Sequence, residues 1–205
     1  MDMQLNLPNP QAVAYPYPML PPRSNERFAY AAQSPVLQGE HVRIDDGREL
    51  HLRPIAASDV AAIQRYFSRL SPEVIRRRFL HPMSVLPDPM AQRLCRIDPE
   101  LESAYVLMDE SVSPAEMRGV GRIYVDEATD SAEFSVLVEQ DWTHHGLGAF
   151  LMQRLVDDCH RRNLSELWSY VLMENSPMLN LCKKLGFRQR LILGEPGTEL
   201  ISLQL

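Results

Sequence analysis

Apolar and polar residues alternate along much of the chain, and this alternation predicts β-strands. Between residues 132 and 138, the side chains of Ala132, Phe134 and Val136 fall on one face of a strand, while Glu133 falls on the other. Turn sequences rich in Gly, Asp and Pro at 45–48 and 194–197 separate the first and the last pair of strands. The predicted strands cover residues 41–44, 49–53, 104–108, 119–125, 132–138, 167–172, 187–193 and 199–205.

A helical repeat follows the strand at 132–138, because Leu147, Leu151, Leu155 and Cys159 recur on one stripe of a helix predicted over 146–162. The order of strands and helices predicts one mixed α/β domain built around a central sheet. The other predicted helices are one capped by Ser58 that ends near Leu70, one begun by Ser71-Pro72-Glu73, a short one from Asp88 to Cys95 and one over 177–185.

The first 39 residues differ from the rest of the chain. They hold seven of the 16 prolines and show no sustained periodicity, so we predict a Pro-rich arm over 1–39 and a domain over 40–205. Tyr15, Tyr17, Phe28 and Tyr30 make this arm more apolar than a typical disordered tail. Two interpretations remain open: an unpacked tail, or an arm that packs on its own domain or on a second subunit, as in a possible homodimer.

Composition narrows the class of protein. The 205 residues are 45% hydrophobic and 23% charged, with a formal net charge of -6, which disfavours a nucleic-acid partner and suits a cationic substrate. The N-terminus has no signal-peptide pattern, and no apolar run approaches the length of a membrane span, so we expect no membrane partner. The three cysteines lack CxxC spacing and are typical of reduced, buried thiols in a cytoplasmic protein.

The turn from His144 to Gly148 joins an apolar strand to the start of the 146–162 helix. Unpaired N–H groups at the N-terminus of a helix attract phosphate, so the N–H groups of His144 through Ala149 are candidates for holding a pyrophosphate. A tight strand-to-helix connection without a ligand is the alternative. Adjacent histidines with no cluster of Cys, His or Asp nearby do not make a metal site, so we expect no metal.

The segment from Val136 to Phe187 resembles the cofactor-binding core of the GNAT superfamily of acyl-CoA-dependent N-acyltransferases. The family's R/Q-x-x-G-x-G/A loop is similar to residues 143–148, and its later Asn and L-G-F ending match Asn175 and 185–187. The resemblance implies a mixed α/β (α+β) fold with helices on both faces of a mostly antiparallel sheet. The sheet is splayed between strands 4 and 5 of the family, which are 132–138 and 167–172 here.

Further segments resemble a subgroup, the bacterial protein lysine acetyltransferases that act on acyl-CoA synthetases. These segments are 51–55, 67–73, 78–79, 132–134 and 174–178. The resemblance implies direct transfer of an acetyl group from acetyl-CoA to an amine, with a protein lysine as the acceptor. A small-molecule amine acetyltransferase and a non-catalytic acyl-CoA sensor are the alternatives.

The resemblance also assigns cofactor contacts. The backbone of Val136, Leu137 and Val138 is expected to bond the pantetheine arm, and Asn175 is expected to contact the cofactor. Thr143 replaces the usual Gln or Arg, and Cys182 stands where many relatives have a Tyr that protonates the leaving thiolate. The residues expected to hold the pyrophosphate are His144, His145, Gly146, Leu147, Gly148 and Ala149.

Glu133 is the predicted general base. A lysine amine has a pKa of about 10.4, so its nucleophilic form costs about 4.6 kcal/mol at neutral pH. A positioned carboxylate accepts that proton as attack proceeds, and the resembling subgroup uses a glutamate in this strand. The alternation alone also fits a solvent-facing Glu133, and Glu174 is the second candidate. Arg76, Arg77 and Arg78 form either a solvated face or a contact with the 3′-phosphate or an acidic protein surface.

Overall fold

The computed structural model describes residues 39–79, 83–192 and 197–205. Within these ranges eight strands form one sheet in the order β1-β2-β3-β4-β5-β6-β8-β7. Every neighbouring pair is antiparallel except β5 and β6, which run parallel. The strands are β1 Glu40–Arg43, β2 Glu49–Pro54, β3 Glu102–Asp109, β4 Glu116–Asp126, β5 Ser131–Val138, β6 Glu166–Leu172, β7 Arg188–Leu191 and β8 Thr198–Gln204.

Within the described residues, five α-helices cover the two faces of the sheet, so the predicted fold class is confirmed. The helices are α1 Val60–Arg69, α2 Pro72–Phe79, α3 Asp88–Cys95, α4 Leu147–Arg161 and α5 Ser176–Lys184. The first three pack with one face of β3 and β4 in one apolar cluster. The last two pack on the other face, where the predicted stripe of Leu147, Leu151, Leu155 and Cys159 is buried. None of the helices in the described ranges combines the length and apolar composition needed to cross a membrane.

The start of α1 corrects one predicted detail. Ser58 does not cap the helix, because a short 3-10 turn over Ala57–Asp59 precedes it. Asp59 is buried there, accepts the Ala56 N–H at 2.7 Å and forms two hydrogen bonds with Arg53 at 2.7 and 2.8 Å. These bonds explain why the carboxylate, rather than the neighbouring serine, fixes the entry of the chain into α1.

Other predicted starts agree with the structure. Pro72 is the first residue of α2, and the Ser71 hydroxyl accepts the Val74 N–H at 3.3 Å. The short helix predicted from Asp88 to Cys95 has these same bounds. Cys95, Cys159 and Cys182 are all buried and free, as predicted. The N-terminal arm up to residue 38 and most of the turn at 194–197 lie outside the described residues.

Candidate active site

The sheet opens between β5 and β6. Their parallel pairing joins Ser131–Glu133 to Glu166–Trp168 and goes no further, whereas β6 stays paired with β8 as far as Leu172. From Phe134 onward, β5 is therefore paired on the β4 side only among the described residues. An exposed strand edge accepts an extended ligand through main-chain hydrogen bonds. The segment predicted to bond pantetheine, Val136–Val138, lies on this edge.

The N-terminus of α4 carries a run of N–H groups without partners. The helix is capped by Gly146 at φ 77° with no side-chain hydrogen bond, and its first backbone bond runs from the Phe150 N–H to the Gly146 carbonyl at 2.9 Å. The N–H groups from His144 to Ala149 donate to no other residue in the part of the chain that the structure describes. His144 also has a positive φ of 67°, which turns consecutive amides toward a common side. This corner is suited to a phosphate.

The loop before α4 is held by contacts with arginines from distant parts of the chain. Trp142 is buried, with the Arg48 guanidinium 3.8 Å from the centre of its ring and Arg118 at 5.2 Å. Arg48 also lies 3.3 Å from His145 Nε2. The His145 side chain therefore contacts the turn between β1 and β2. Sequence reasoning did not identify Arg48 as a partner of this loop, because Arg48 lies almost a hundred residues away along the chain.

Glu133 lies at the point where β5 and β6 separate. Its register partners are Tyr124 on β4 and Trp168 on β6, and it is partly buried on the side of the sheet that carries α1–α3. Burial raises the pKa of the Glu133 carboxyl above its ordinary value, and the positive charge of Arg78 offsets part of that rise. A carboxylate with a raised pKa is a stronger proton acceptor.

The arginine triplet of α2 reaches this region. Arg78 is partly buried and its pKa is lowered to about 10, mainly because burial disfavours its charge. The solvated-face interpretation is therefore wrong for Arg78, since α2 packs this side chain against the sheet near Glu133. Arg76 forms an ion pair with Glu174 in the loop after β6, and Arg77 Nε lies 4.0 Å from the same carboxylate.

The ion pair of Glu174 distinguishes it from Glu133 as a candidate base. A hydrogen bond from Arg76 lowers the pKa of Glu174, whose side chain is 47% exposed. A carboxylate held ionised by an arginine is a weaker proton acceptor than one whose pKa is raised by burial. The electrostatics therefore favour Glu133 over Glu174.

Asn175 and Cys182 occupy structural positions on α5. Asn175 is the N-cap of the helix, and its side-chain oxygen accepts the Met178 N–H at 3.4 Å. Its contact with a cofactor stays a prediction. Cys182 is fully buried in the apolar cluster beneath α4, and burial raises the pKa of its thiol to about 12. This environment fits a packing thiol and not a proton donor.

Tyr66 is a residue that sequence reasoning missed. Its side chain on α1 is buried and its hydroxyl donates to the Leu137 carbonyl at 3.0 Å. Burial raises the pKa of Tyr66 well above its ordinary value, so the hydroxyl stays protonated. Tyr66, Arg78 and Leu137 line a cavity of about 30 Å³ between the helices and β5. The described residues contain no cluster of His, Cys, Asp and Glu able to hold a metal ion.

The sheet thus separates at Glu133, a partly buried carboxylate, and leaves the edge of β5 and the amides of α4 without partners among the described residues. A family model described as "Acetyltransferase (GNAT) domain" matches residues 49–188. The chain belongs to the GNAT acetyltransferase family and is an acetyltransferase. GNAT acetyltransferases act on amine acceptors.

Several known proteins are similar to this chain in sequence, and two of them differ in how much of the chain they match. The chain is 28% identical over 153 residues to Acetyltransferase PA5475 of Pseudomonas aeruginosa, covering 74% of this chain and 82% of that protein. It is 32% identical over 73 residues to the [Ribosomal protein bS18]-alanine N-acetyltransferase of Escherichia coli. That second match covers 36% of this chain and 47% of the relative, so it extends over less than half of either protein.

Solved structures share the fold. The GNAT domain of S. lividans PAT superimposes with a TM-score of 0.74 at 19% identity, over 84% of this chain and 100% of that one. Spermidine N-acetyltransferase from Vibrio cholerae, solved with CoA and spermine, gives a TM-score of 0.61 at 17% identity. This second likeness covers 76% of this chain and 95% of that one. Coenzyme A is therefore a ligand of a protein with this fold.

Proposed function

We propose that the protein transfers an acetyl group directly from acetyl-CoA to the ε-amine of a protein lysine, with Glu133 as the general base. One observation carries the proposal: the unpaired edge of β5 begins beside Glu133 and leads toward the free amides of α4. A single bound thioester can follow this path, with its reactive end at the carboxylate and its phosphates at the helix.

The cofactor contacts are main-chain contacts. Val136–Val138 bond the pantetheine amides as an added strand does, and the N–H groups of residues 144–149 hold the diphosphate. Because these contacts use backbone atoms, Thr143 substitutes for the usual Gln or Arg without loss of the site. Asn175 contacts the cofactor beside the separated strands.

Glu133 provides the base chemistry. The carboxylate takes the proton from the acceptor amine, directly or through a water, as the nitrogen forms a bond to the thioester carbon. N–H groups on the open edge of β5 stabilise the negative charge that develops on the carbonyl oxygen. The carbon–sulfur bond then breaks, the thiolate leaves and takes a proton from solvent, and the amide product retains the acetyl group.

Two features support a protein as the acceptor. The face of β6, β8 and β7, which adjoins Glu133 through its register partner Trp168, is an open groove rather than an enclosed pocket. The Escherichia coli relative is named for a protein substrate, although the amine named there is that of an alanine. A small-molecule amine is the second candidate, and the Vibrio cholerae complex with spermine and the net charge of -6 favour it.

A thiol-release assay with acetyl-CoA distinguishes these functions. We expect release of CoA with lysine peptides, little release with spermidine, and loss of release in Glu133→Gln. Release with spermidine alone would move the acceptor to the second candidate. Tight CoA binding without release against any amine would instead indicate a sensor.

A further inference from the structure

We propose that the open face of β6, β8 and β7 docks the polypeptide that carries the acceptor lysine, and that Arg188 and Arg190 bind an acidic side chain of that polypeptide. This inference rests on the proposed function, because it names the acceptor of the same site. We call this face the docking face, defined by Trp168, Tyr170, Leu200, Ser202, Arg188 and Arg190.

One row of residues links the base to the arginines. Glu133 is the register partner of Trp168, Trp168 is the partner of Ser202, and Ser202 is the partner of Arg188. Partners in neighbouring strands point to the same side of the sheet, so these four side chains lie on one face. Three strand spacings separate Glu133 from Arg188, or about 14 Å.

A second row runs beside the first. Tyr170 is paired with Leu200, and Leu200 is paired with Arg190. The residues of both rows on β6, β8 and β7 line an open groove of about 650 Å³ next to Glu133. Asp126 on β4 and Glu166 on β6 line the same groove, at the end away from the arginines of β7. Tyr170 is 43% exposed and leaves apolar surface for a partner.

The aromatic part of the docking face is held in place. The indole N–H of Trp168 donates to the Ser131 hydroxyl at 3.1 Å, and its ring meets Tyr170 edge to face at 5.4 Å between centroids. Aromatic residues fixed in this way contribute contact area at a low cost in side-chain entropy. They are suited to the stem of a lysine or to an apolar neighbour of that lysine.

Two arginines make the β7 end of the docking face positively charged. Arg188 and Arg190 are exposed on the edge strand β7, and neither forms an ion pair with another described residue. Arg43 on the opposite edge of the sheet is, by contrast, paired with Glu49. The unpaired guanidinium groups repel a lysine ammonium and attract a carboxylate, so they favour an acceptor whose lysine lies at the Glu133 end.

The spacing identifies the occupant as a polypeptide. An extended chain rises about 3.3 Å per residue, so about 14 Å corresponds to about four residues. An acidic residue about four positions from the target lysine reaches the arginines while the lysine reaches Glu133. A polyamine has no carboxylate for Arg188 and Arg190, and the groove does not enclose a small molecule.

The test uses short peptides that differ at one position. Each peptide holds a single lysine and carries aspartate, glutamine or lysine about four residues away, and the full chain is compared with its Arg188→Glu/Arg190→Glu variant. We expect the wild type to have a KM about tenfold lower for the aspartate peptide than for the lysine peptide, with kcat unchanged. The variant should reverse this order, since the charge of the docking face is reversed.

Two controls separate the possible failures. Arg43→Glu also reverses an exposed arginine on an edge strand, and it should leave the order of the peptides unchanged. Equal KM values for all three peptides in the wild type would overturn the inference while leaving the proposed function intact. Absence of CoA release with every peptide would overturn the proposed function itself. A dimeric mass by sedimentation that falls to the monomer in the double variant would assign the docking face to a second copy of the chain, and so overturn the inference.

Discussion

Arg76 of α2 and Glu174 of the loop after β6 form an ion pair that joins the two sides of the opening between β5 and β6. Both side chains are more than two-fifths exposed, at 42% and 47%, so the pair contributes little to global stability. The ion pair instead fixes the loop that carries Asn175 relative to the helix that carries Arg78.

We therefore expect Arg76→Gln to raise the KM for acetyl-CoA about threefold and to change the free energy of unfolding by less than about 1 kcal/mol. The measurements are steady-state kinetics and thermal unfolding. The exchanged pair Arg76→Glu/Glu174→Arg should recover most of the loss. If the increase in KM for the exchanged pair equals the combined effects of the two single variants, the contact between the two side chains has no role.

Glu133→Gln is expected to lower kcat by about 10²-fold or more while leaving the affinity for acetyl-CoA unchanged. The glutamine keeps the shape of the side chain but cannot take a proton from the amine. Glu174→Gln is the matched control, since it removes the rival carboxylate, and it should lower kcat less than tenfold. Equal losses in the two variants would remove the assignment of Glu133.

The pH dependence of kcat/KM should have an acid limb set by Glu133. Burial raises the pKa of this carboxyl. As the pH falls, Glu133 is therefore protonated, and stops acting as a base, at a higher pH than an ordinary glutamate would be. The charge of Arg78 lowers that pKa, and Arg78→Gln should therefore move the acid limb to higher pH. A limb that stays in place in Arg78→Gln would show that the two groups are not coupled.

The same raised pKa predicts a stability effect. A carboxyl whose pKa is higher in the folded state favours folding when protonated, and this contribution is lost as the pH rises through the folded pKa. Glu133→Gln should therefore unfold at a higher temperature than the wild type near neutral pH. The difference should disappear at about pH 4, close to the ordinary pKa of glutamate. A glutamine variant that is less stable than the wild type near neutral pH would contradict the burial of the charge.

Gly146→Ala should weaken acetyl-CoA binding as well as folding. The residue has φ +77°, where an alanine costs about 1 kcal/mol, and relief of that strain would turn the helix amides away from the diphosphate. Gly197 has a φ of +92°, and no atom of the described residues lies within 4 Å of its Cβ position. Gly197→Ala is thus the matched control, with a similar loss of stability and an unchanged KM for acetyl-CoA. Equal KM values in both variants would contradict the role of the loop.

The periodic parts of the fold could be predicted from the sequence. Alternation identified β5 and the face that carries Glu133, and the 3.6-residue repeat identified the buried stripe of α4. The position of β8 between β6 and β7 could not be predicted in this way, because strand order depends on contacts between distant residues.

The electrostatic partners were harder to predict for the same reason. Three successive arginines are typical of a solvated helix, and only the packing of α2 shows that Arg78 lies near Glu133. The contacts of Arg48 with Trp142 and His145 join segments almost a hundred residues apart. Side-chain type and local spacing contain no signal for such pairs.

The burial of the cysteines has a practical consequence for enzymology. Burial raises the pKa of the thiols of Cys95, Cys159 and Cys182 to about 11, about 12 and about 12, and the chain has no other cysteine. Aromatic disulfide dyes react with thiolates, so these side chains should react far more slowly than free coenzyme. Turnover can therefore be followed continuously by colour in the native protein, without a cysteine-free background.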